Sequence, residues 1–151
     1  MDPTVTMLER LTKATDRRLR IDTSAPPMPE TLAALARHVE STGGSEDLDW
    51  TALRTFLDEL DRHPEQVVRE ISTAPRSRDP RLNALLAGLA EELADRATLP
   101  RPRWTSASGP LPSPWHAPGT SRMVDRARRR APKPLRDRNV WIAADALWHE
   151  R

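Results

Sequence analysis

The sequence predicts an all-α fold, in which a small antiparallel helical bundle over residues 1–99 precedes a proline-rich, basic and mostly extended arm over residues 100–151. Two observations carry this prediction. Apolar residues recur at the i, i+3, i+4, i+7 spacing of amphipathic helices along the first part of the chain. Eight prolines then fall within residues 100–134, where they interrupt helices and central strands. The arm is expected to end in a short strand-like segment and a last helical turn.

The first half of the bundle is predicted to contain two helices. An aspartate followed by proline starts the first helix, over residues 2–20, because proline is well tolerated at the first helical position. Residues 21–28 then form a proline-containing linker. The second helix starts at Pro29 and ends at Gly43-Gly44, since glycine adopts positive φ at low cost. Its predicted buried face consists of Leu32, Leu35, Ala36 and Val39.

Three further helical segments complete the predicted bundle. The third helix covers residues 47–62 and is the most amphipathic of the chain. His63-Pro64 ends it and starts a short segment over residues 65–72, because proline cannot continue a helix. Asp79-Pro80 starts the last helix of the bundle. The predicted core positions of these segments are Trp50, Leu53, Phe56, Leu57, Leu60, Val67, Val68, Ile71, Leu82, Leu85, Leu86, Leu89 and Leu93.

The arm offers less regular structure. Prolines at alternate positions favour an extended backbone over residues 106–114. A short basic helix is predicted over residues 121–130, and residues 145–150 suit a final helical turn. Between them, Val140-Trp141-Ile142 is strand-like but too short to be stable alone. Because the predicted bundle contains no strand, this triplet is expected either to lie on the bundle as an irregular tail or to dock on a partner.

Charge is distributed unevenly between bundle and arm. Residues 100–151 carry eleven Arg or Lys against four Asp or Glu, a balance of +7, whereas residues 1–99 carry a balance of −5. A basic region of this kind suits an acidic surface, either nucleic acid or an acidic protein, and is equally compatible with a solvated surface. The arm is therefore expected to bind a protein partner, with nucleic acid as the second choice.

One stretch superficially resembles catalytic machinery. Gly43-Gly44-Ser45, followed by Asp47 and Asp49, has the residue types that hold metal and triphosphate in nucleotidyltransferases. In that class a helix separates the glycines from aspartates on a strand, whereas here the two groups are nearly adjacent and lead into a helix. Aspartates at a helix amino terminus cap it and interact favourably with its dipole. Helix capping is therefore the predicted role.

Other chemistry is equally unsupported. The four histidines, His38, His63, His116 and His149, are scattered and none has a second histidine at metal-binding spacing. No serine lies in a recognisable catalytic setting, and there is no glycine-rich phosphate loop. The sequence therefore predicts no enzyme activity, no metal site and no cofactor.

The cellular setting follows from composition. The chain contains no cysteine, which excludes disulfides and thiolate metal sites and suits a reducing compartment. No apolar run approaches the roughly 20 residues of a membrane span, and the first residues lack a signal-peptide pattern. We expect a cytoplasmic protein without membrane association.

Four of the five tryptophans lie in the arm. Trp50, on a helical face, is expected in the core, and Trp104 is expected to cap the bundle. Trp115, Trp141 and Trp148 either fold back as hydrophobic plugs or anchor a partner, where tryptophan and arginine dominate binding energy. The candidate partner-binding residues are Trp115, Arg128, Arg129, Arg130, Arg136, Arg138, Asn139, Trp141 and Trp148.

Three segments occur in a familiar order: Pro114-Trp115, Ala131-Pro132 and Arg136-x-Arg138-Asn139-Val140-Trp141-Ile142-x-x-Asp145-Ala146-Leu147. Together with the helix that starts at Asp79-Pro80-Arg81, they span residues 79–151. This pattern resembles a carboxy-terminal module of small actinobacterial-type proteins encoded beside nucleotidyltransferase-like toxins. The resemblance implies an antitoxin-like protein that folds a tail onto its cognate toxin and neutralises it. The chain departs from the pattern at His116, where an aromatic residue is usual.

Two functions from different classes are thus expected. The first is a non-catalytic, antitoxin-like protein-binding module. The alternative is a nucleic-acid-binding transcriptional regulator that uses the basic carboxy-terminal region.

Overall fold

The computed structural model describes residue 29, residues 31–116 and residues 120–148. The predicted first helix and the linker, residues 2–28, lie outside the described residues. Within the described ranges the chain is mostly helical, as predicted, with one small two-stranded sheet in addition. The elements are α1 (Leu32–Ser41), α2 (Trp50–Arg62), α3 (Val67–Ile71), α4 (Pro80–Arg96), β1 (Trp115–His116), α5 (Ser121–Arg130), α6 (Lys133–Arg136), β2 (Val140–Trp141) and α7 (Ala144–Leu147), with 3₁₀ helices at Pro64–Gln66 and Arg103–Ala107.

Aspartates cap two of the long helices. Asp49 Oδ1 accepts a hydrogen bond from the backbone N–H of Ala52 at 3.0 Å, and α2 begins directly after it. Asp79 Oδ1 accepts from the N–H of Arg81 at 3.0 Å, with Pro80 as the first residue of α4. Each carboxylate satisfies an amide that has no partner within its helix. The capping role predicted for Asp49 is confirmed.

The core is built chiefly from the predicted apolar faces of α1, α2 and α4. Val68 is an exception, because its side chain is 56% exposed. In a helix as short as α3, Val67 and Ile71 are four residues apart and share the inward face, which leaves Val68 on the outer side. The predicted core leucines and phenylalanine are confirmed as buried: Leu53, Phe56, Leu57, Leu60, Leu85, Leu86, Leu89 and Leu93.

Residues beyond position 100 pack on the same core and are not mostly extended. Trp104 lies over the bundle as expected, and its indole Nε1 donates to the carbonyl oxygen of Ile71 at 2.9 Å. Prolines fall between or at the start of short helices, as Pro132 and Pro134 do around α6, so they delimit helices without preventing them. The residues from this region that belong to the common core include Trp115, Leu135, Val140, Ile142, Leu147 and Trp148.

The strand-like segment has a partner in its own chain. β2 pairs with β1 in parallel, with Trp115 opposite Val140 and His116 opposite Trp141. The expectation that this segment finds no strand to pair with is therefore wrong. The proline-rich stretch before Trp115 places extended backbone beside β2. The connection between the two strands runs through α5 and α6 and is long enough for a parallel pair. This short β-α-α-β unit positions the surface described next.

Candidate partner-binding surface

A buried ion pair fixes the carboxy-terminal region to α4. Arg138 donates through Nη1 and Nη2 to the two carboxylate oxygens of Glu91, at 2.9 and 3.0 Å. Its Nε donates to the carbonyl oxygen of Ser108 at 3.0 Å, and its remaining N–H groups reach the carbonyls of Pro134 and Thr105 at 3.2 and 2.9 Å. All five guanidinium donors thus have acceptors, which is the condition under which an ion pair tolerates burial.

The carboxylate of Glu91 is held in its ionised form. Burial acts to raise its pKa, but hydrogen bonds from Arg138 and Thr105 and the charges of Arg138 and Arg101 outweigh burial and lower the pKa below its ordinary value of 4.5. Arg101 adds a hydrogen bond of 3.2 Å to Glu91 and pairs with Asp95 on the surface through two more, at 3.0 and 2.7 Å. The pair therefore stays charged at neutral pH.

Arg138 and Asn139 form the turn that holds the proline-rich segment. Asn139 has a φ of 63°, a left-handed conformation that asparagine tolerates better than most residues. Its side-chain amide donates to the carbonyl oxygen of Leu111 at 3.0 Å, and its own carbonyl accepts from the N–H of Trp115 at 2.8 Å. Arg138, which is only 7% exposed, and Asn139 are engaged within the chain. The prediction that Arg138 contacts a partner is corrected accordingly, because its side chain is buried, whereas Asn139 is half-buried.

Two of the tryptophans considered as partner anchors are instead buried within the protein. Trp115 is 6% exposed and Trp148 is 4% exposed, so neither presents a surface to a partner. The guanidinium of Arg96 lies over the ring of Trp148, 4.5 Å from its centroid, in a cation–π contact. Of the two alternatives that the sequence left open, the fold-back arrangement holds for Trp115 and Trp148. Trp141 is different, because it remains half-buried.

Helix α5 presents the basic residues. It carries five arginines and one aspartate in ten residues, a balance of +4, and each of these six side chains is exposed. Ala127 is its one buried residue. Arg126 donates to Asp145 of α7 at 2.7 Å, and Arg130 lies 3.5 Å from the same carboxylate. These contacts orient α5 so that its remaining arginines face outward: Arg122, Arg128 and Arg129.

An apolar groove runs beside this helix. It encloses about 40 Å³ between α5, β2 and α7, and Met123 at its edge is 37% exposed. Trp141 lines it and stacks on His116, with ring centroids 6.3 Å apart and an angle of 22° between the planes. The Nε2 atom of His116 is buried without a hydrogen-bond partner in the described part of the chain. The other residues that line the groove are Trp50, Val124, Arg126, Ala127, Ile142, Ala143 and Ala146.

We use the name α5 surface for Arg122, Met123, Arg126, Arg129 and Trp141. The sequence indicated the arginine run on α5, but it gave no sign that Trp141 and α5 line one groove. Trp50, predicted as core, is only half-buried and lines the same groove. Among the other predicted contact residues, Arg128 and Arg136 are exposed, on α5 and α6 respectively.

A larger, open cleft lies elsewhere, between the loop after α1 and the start of α4. It encloses about 560 Å³ and includes Gly43-Gly44-Ser45 and Asp79. Burial acts to raise the pKa of Asp79, but hydrogen bonds from Ser45 and from the first amides of α4 lower it overall. Since Asp79 Oδ2 accepts from the N–H of Ser45 at 3.1 Å, the carboxylate serves to join this loop to α4.

The described residues contain no group of three or more His, Asp or Glu side chains arranged to hold a metal ion. None of the helices in the described ranges has the length and apolar character needed to cross a membrane. No protein-family model, curated protein or solved structure matches the chain.

Proposed function

We propose that this protein is a non-catalytic, cytoplasmic protein-binding module that recognises an acidic face of a partner protein through the α5 surface. The observation that carries the proposal is an apolar groove that Arg126 lines, on a helix with further exposed arginines. Met123 and Trp141 border the groove, Arg126 lines it, and Arg122 and Arg129 lie on the same face of α5 as Arg126. Aromatic residues, methionine and arginine are the types enriched in protein–protein interfaces.

We further propose an antitoxin-like role, in which the partner is a nucleotidyltransferase-type toxin that the protein neutralises by binding. This part of the proposal rests on the resemblance over residues 79–151. In this chain many residues of that pattern belong to the structure on which α5 is mounted and do not lie on the α5 surface itself. Arg138 and Trp115, for example, are buried in the structure that positions α5.

The proposal is tested by co-expression of the tagged chain with the product of the neighbouring gene, followed by co-purification and growth measurement. Arg122→Glu combined with Arg129→Glu should weaken the complex by about 2 kcal/mol or more, or roughly 30-fold, because both charges are reversed at a contact. Arg37→Glu, which reverses an exposed arginine on α1, is the matched control and should bind normally. The proposal is contradicted if the unmodified protein neither forms a complex with that gene product nor relieves its toxicity.

Nucleic acid is the second candidate, favoured by the exposed arginines Arg122, Arg128 and Arg129. The groove argues against it, because an apolar groove with an exposed methionine offers nothing to phosphates. Trp141 has one ring face stacked on His116, which leaves that face unable to stack on a base. A tight, sequence-dependent shift of a promoter fragment at physiological salt, with a steep loss of affinity as salt rises, would favour this alternative.

A further inference from the structure

We infer that the segment of the partner that docks on the α5 surface is an acidic amphipathic helix, which inserts one apolar side chain beside Met123 and places carboxylates against Arg122 and Arg129. This inference rests on the proposed function and specifies the chemistry of its partner. Three properties of the surface lead to it.

The first property is the size of the groove. The space of about 40 Å³ between Met123 and Trp141 has room for one apolar side chain. Methionine has three rotatable bonds and adapts to the shape of an entering group, so the edge formed by Met123 can close around it. An amphipathic helix presents apolar side chains along one face and can place one of them in this space.

The second property is the spacing of the charges. Arg122, Arg126 and Arg129 follow the i, i+4, i+7 pattern and therefore share one face of α5. Asp145 engages Arg126, which leaves the outer two arginines for a partner. They are separated by about 10 Å along the helix axis, at 1.5 Å rise per residue. A second helix aligned with α5 presents carboxylates at this same separation when they are seven residues apart.

The third property distinguishes a carboxylate-bearing helix from a continuous polyanion. Asp125 is exposed on the same side of α5, three residues after Arg122 and four before Arg129. An unbroken row of phosphates along this face would meet a like charge between the two arginines. Carboxylates at separate positions on a helix flank Asp125 and contact the arginines on either side. The arrangement thus selects discrete acidic side chains.

The test titrates the 151-residue chain with labelled synthetic peptides and measures fluorescence anisotropy. The probe is a helical peptide of about 16 residues with leucine on one face and glutamate on the other. The comparison ligands are polyglutamate of equal charge, the same peptide with lysine in place of glutamate, and duplex DNA. We expect the acidic amphipathic peptide to bind at least about tenfold more tightly than each comparison ligand.

Variants of the α5 surface locate the binding. Met123→Glu, and Arg122→Glu combined with Arg129→Glu, should each lower affinity for the peptide at least about tenfold, whereas Arg37→Glu should leave it unchanged. Circular dichroism confirms that each variant is folded. Equal binding of polyglutamate or DNA, or peptide binding that Met123→Glu leaves intact, overturns the inference.

The two proposals fail in different ways. If the co-expressed partner is retained by the unmodified chain and equally by both α5-surface variants, the protein is a binding module but the docking surface lies elsewhere. If no protein partner is retained although the peptide binds the α5 surface, the proposed function fails and the chemical preference of the surface stands.

Discussion

At the scale of single residues, the contact between Arg138 and Glu91 links positions 47 residues apart in sequence. Removing a charged group from water is costly, and the cost is recovered here through two parallel hydrogen bonds and three carbonyl acceptors. The cost reappears when one partner is removed, because the other charge remains buried. Arg138 is accordingly a structural residue, although it stands in a basic segment that suggests recognition.

We predict that Glu91→Gln lowers the free energy of unfolding by about 3 kcal/mol at pH 7, since Arg138 is left buried without a counter-charge. Because the pKa of Glu91 is lowered in the folded state, its contribution is fully present above its ordinary value of 4.5 and is lost as pH falls through the folded pKa. The difference between the unmodified protein and the variant should therefore shrink below pH 4.5. Urea unfolding at a series of pH values measures it.

Asp95→Asn is the matched control, because it breaks the exposed pair between Asp95 and Arg101. Salt bridges of this kind contribute little, so a change below about 1 kcal/mol is expected. A Glu91→Gln variant as stable as this control would mean that the buried pair contributes no more than a surface one.

At the scale of elements, α6 lies against α4 at a glycine. A Cβ atom added at Gly88 would stand 2.5 Å from Leu135 Cδ2 and 3.2 Å from the carbonyl oxygen of Pro134. Leu135 is fully buried, so its side chain has little space into which it can move. The absence of a side chain at Gly88 therefore permits the close approach that places α6, and with it Arg138 and β2, on the bundle.

Gly88→Ala should therefore destabilise the protein by about 1–3 kcal/mol, although alanine alone favours a helix by up to about 1 kcal/mol. Thermal unfolding measures the effect. Gly109→Ala serves as control, because a Cβ there has no neighbour within 4 Å. In a double-mutant cycle, Leu135→Ala should relieve part of the clash, so the combined loss should be smaller than the sum of the two single losses. If the two single losses of stability added strictly, the predicted contact between residues 88 and 135 would be contradicted.

At the scale of the whole molecule, residues on both sides of position 100 share one hydrophobic core. Leu57 of α2 and Leu135 of α6 are both fully buried in it. The guanidinium of Arg54 in α2 donates to the carbonyl oxygen of Ala146 in α7 at 2.8 Å, which joins the two regions at the surface as well. Elements that share a core and cross-linking hydrogen bonds are expected to unfold together.

We therefore predict one cooperative transition, with coincident curves from far-ultraviolet circular dichroism and tryptophan fluorescence. The first reports chiefly on α1, α2 and α4, and the second on a set of tryptophans of which four of five lie beyond residue 100. Leu57→Ala and Leu135→Ala should each cost about 2–5 kcal/mol and shift both curves equally. Separate transitions, or a Leu135→Ala effect confined to fluorescence, would show that the carboxy-terminal region folds independently.

Local sequence determined much of this protein. Apolar spacing identified the buried faces of α1, α2 and α4, and the Asp-Pro pair before α4 identified its start, because helices are specified by neighbours within a few residues. Only the tertiary structure decided the rest. The pairing of Trp115 with Val140, the burial of Trp148 and the contact of Arg138 with Glu91 join residues far apart in sequence. Nothing in a local pattern specifies such contacts, and the α5 surface exists only because they form.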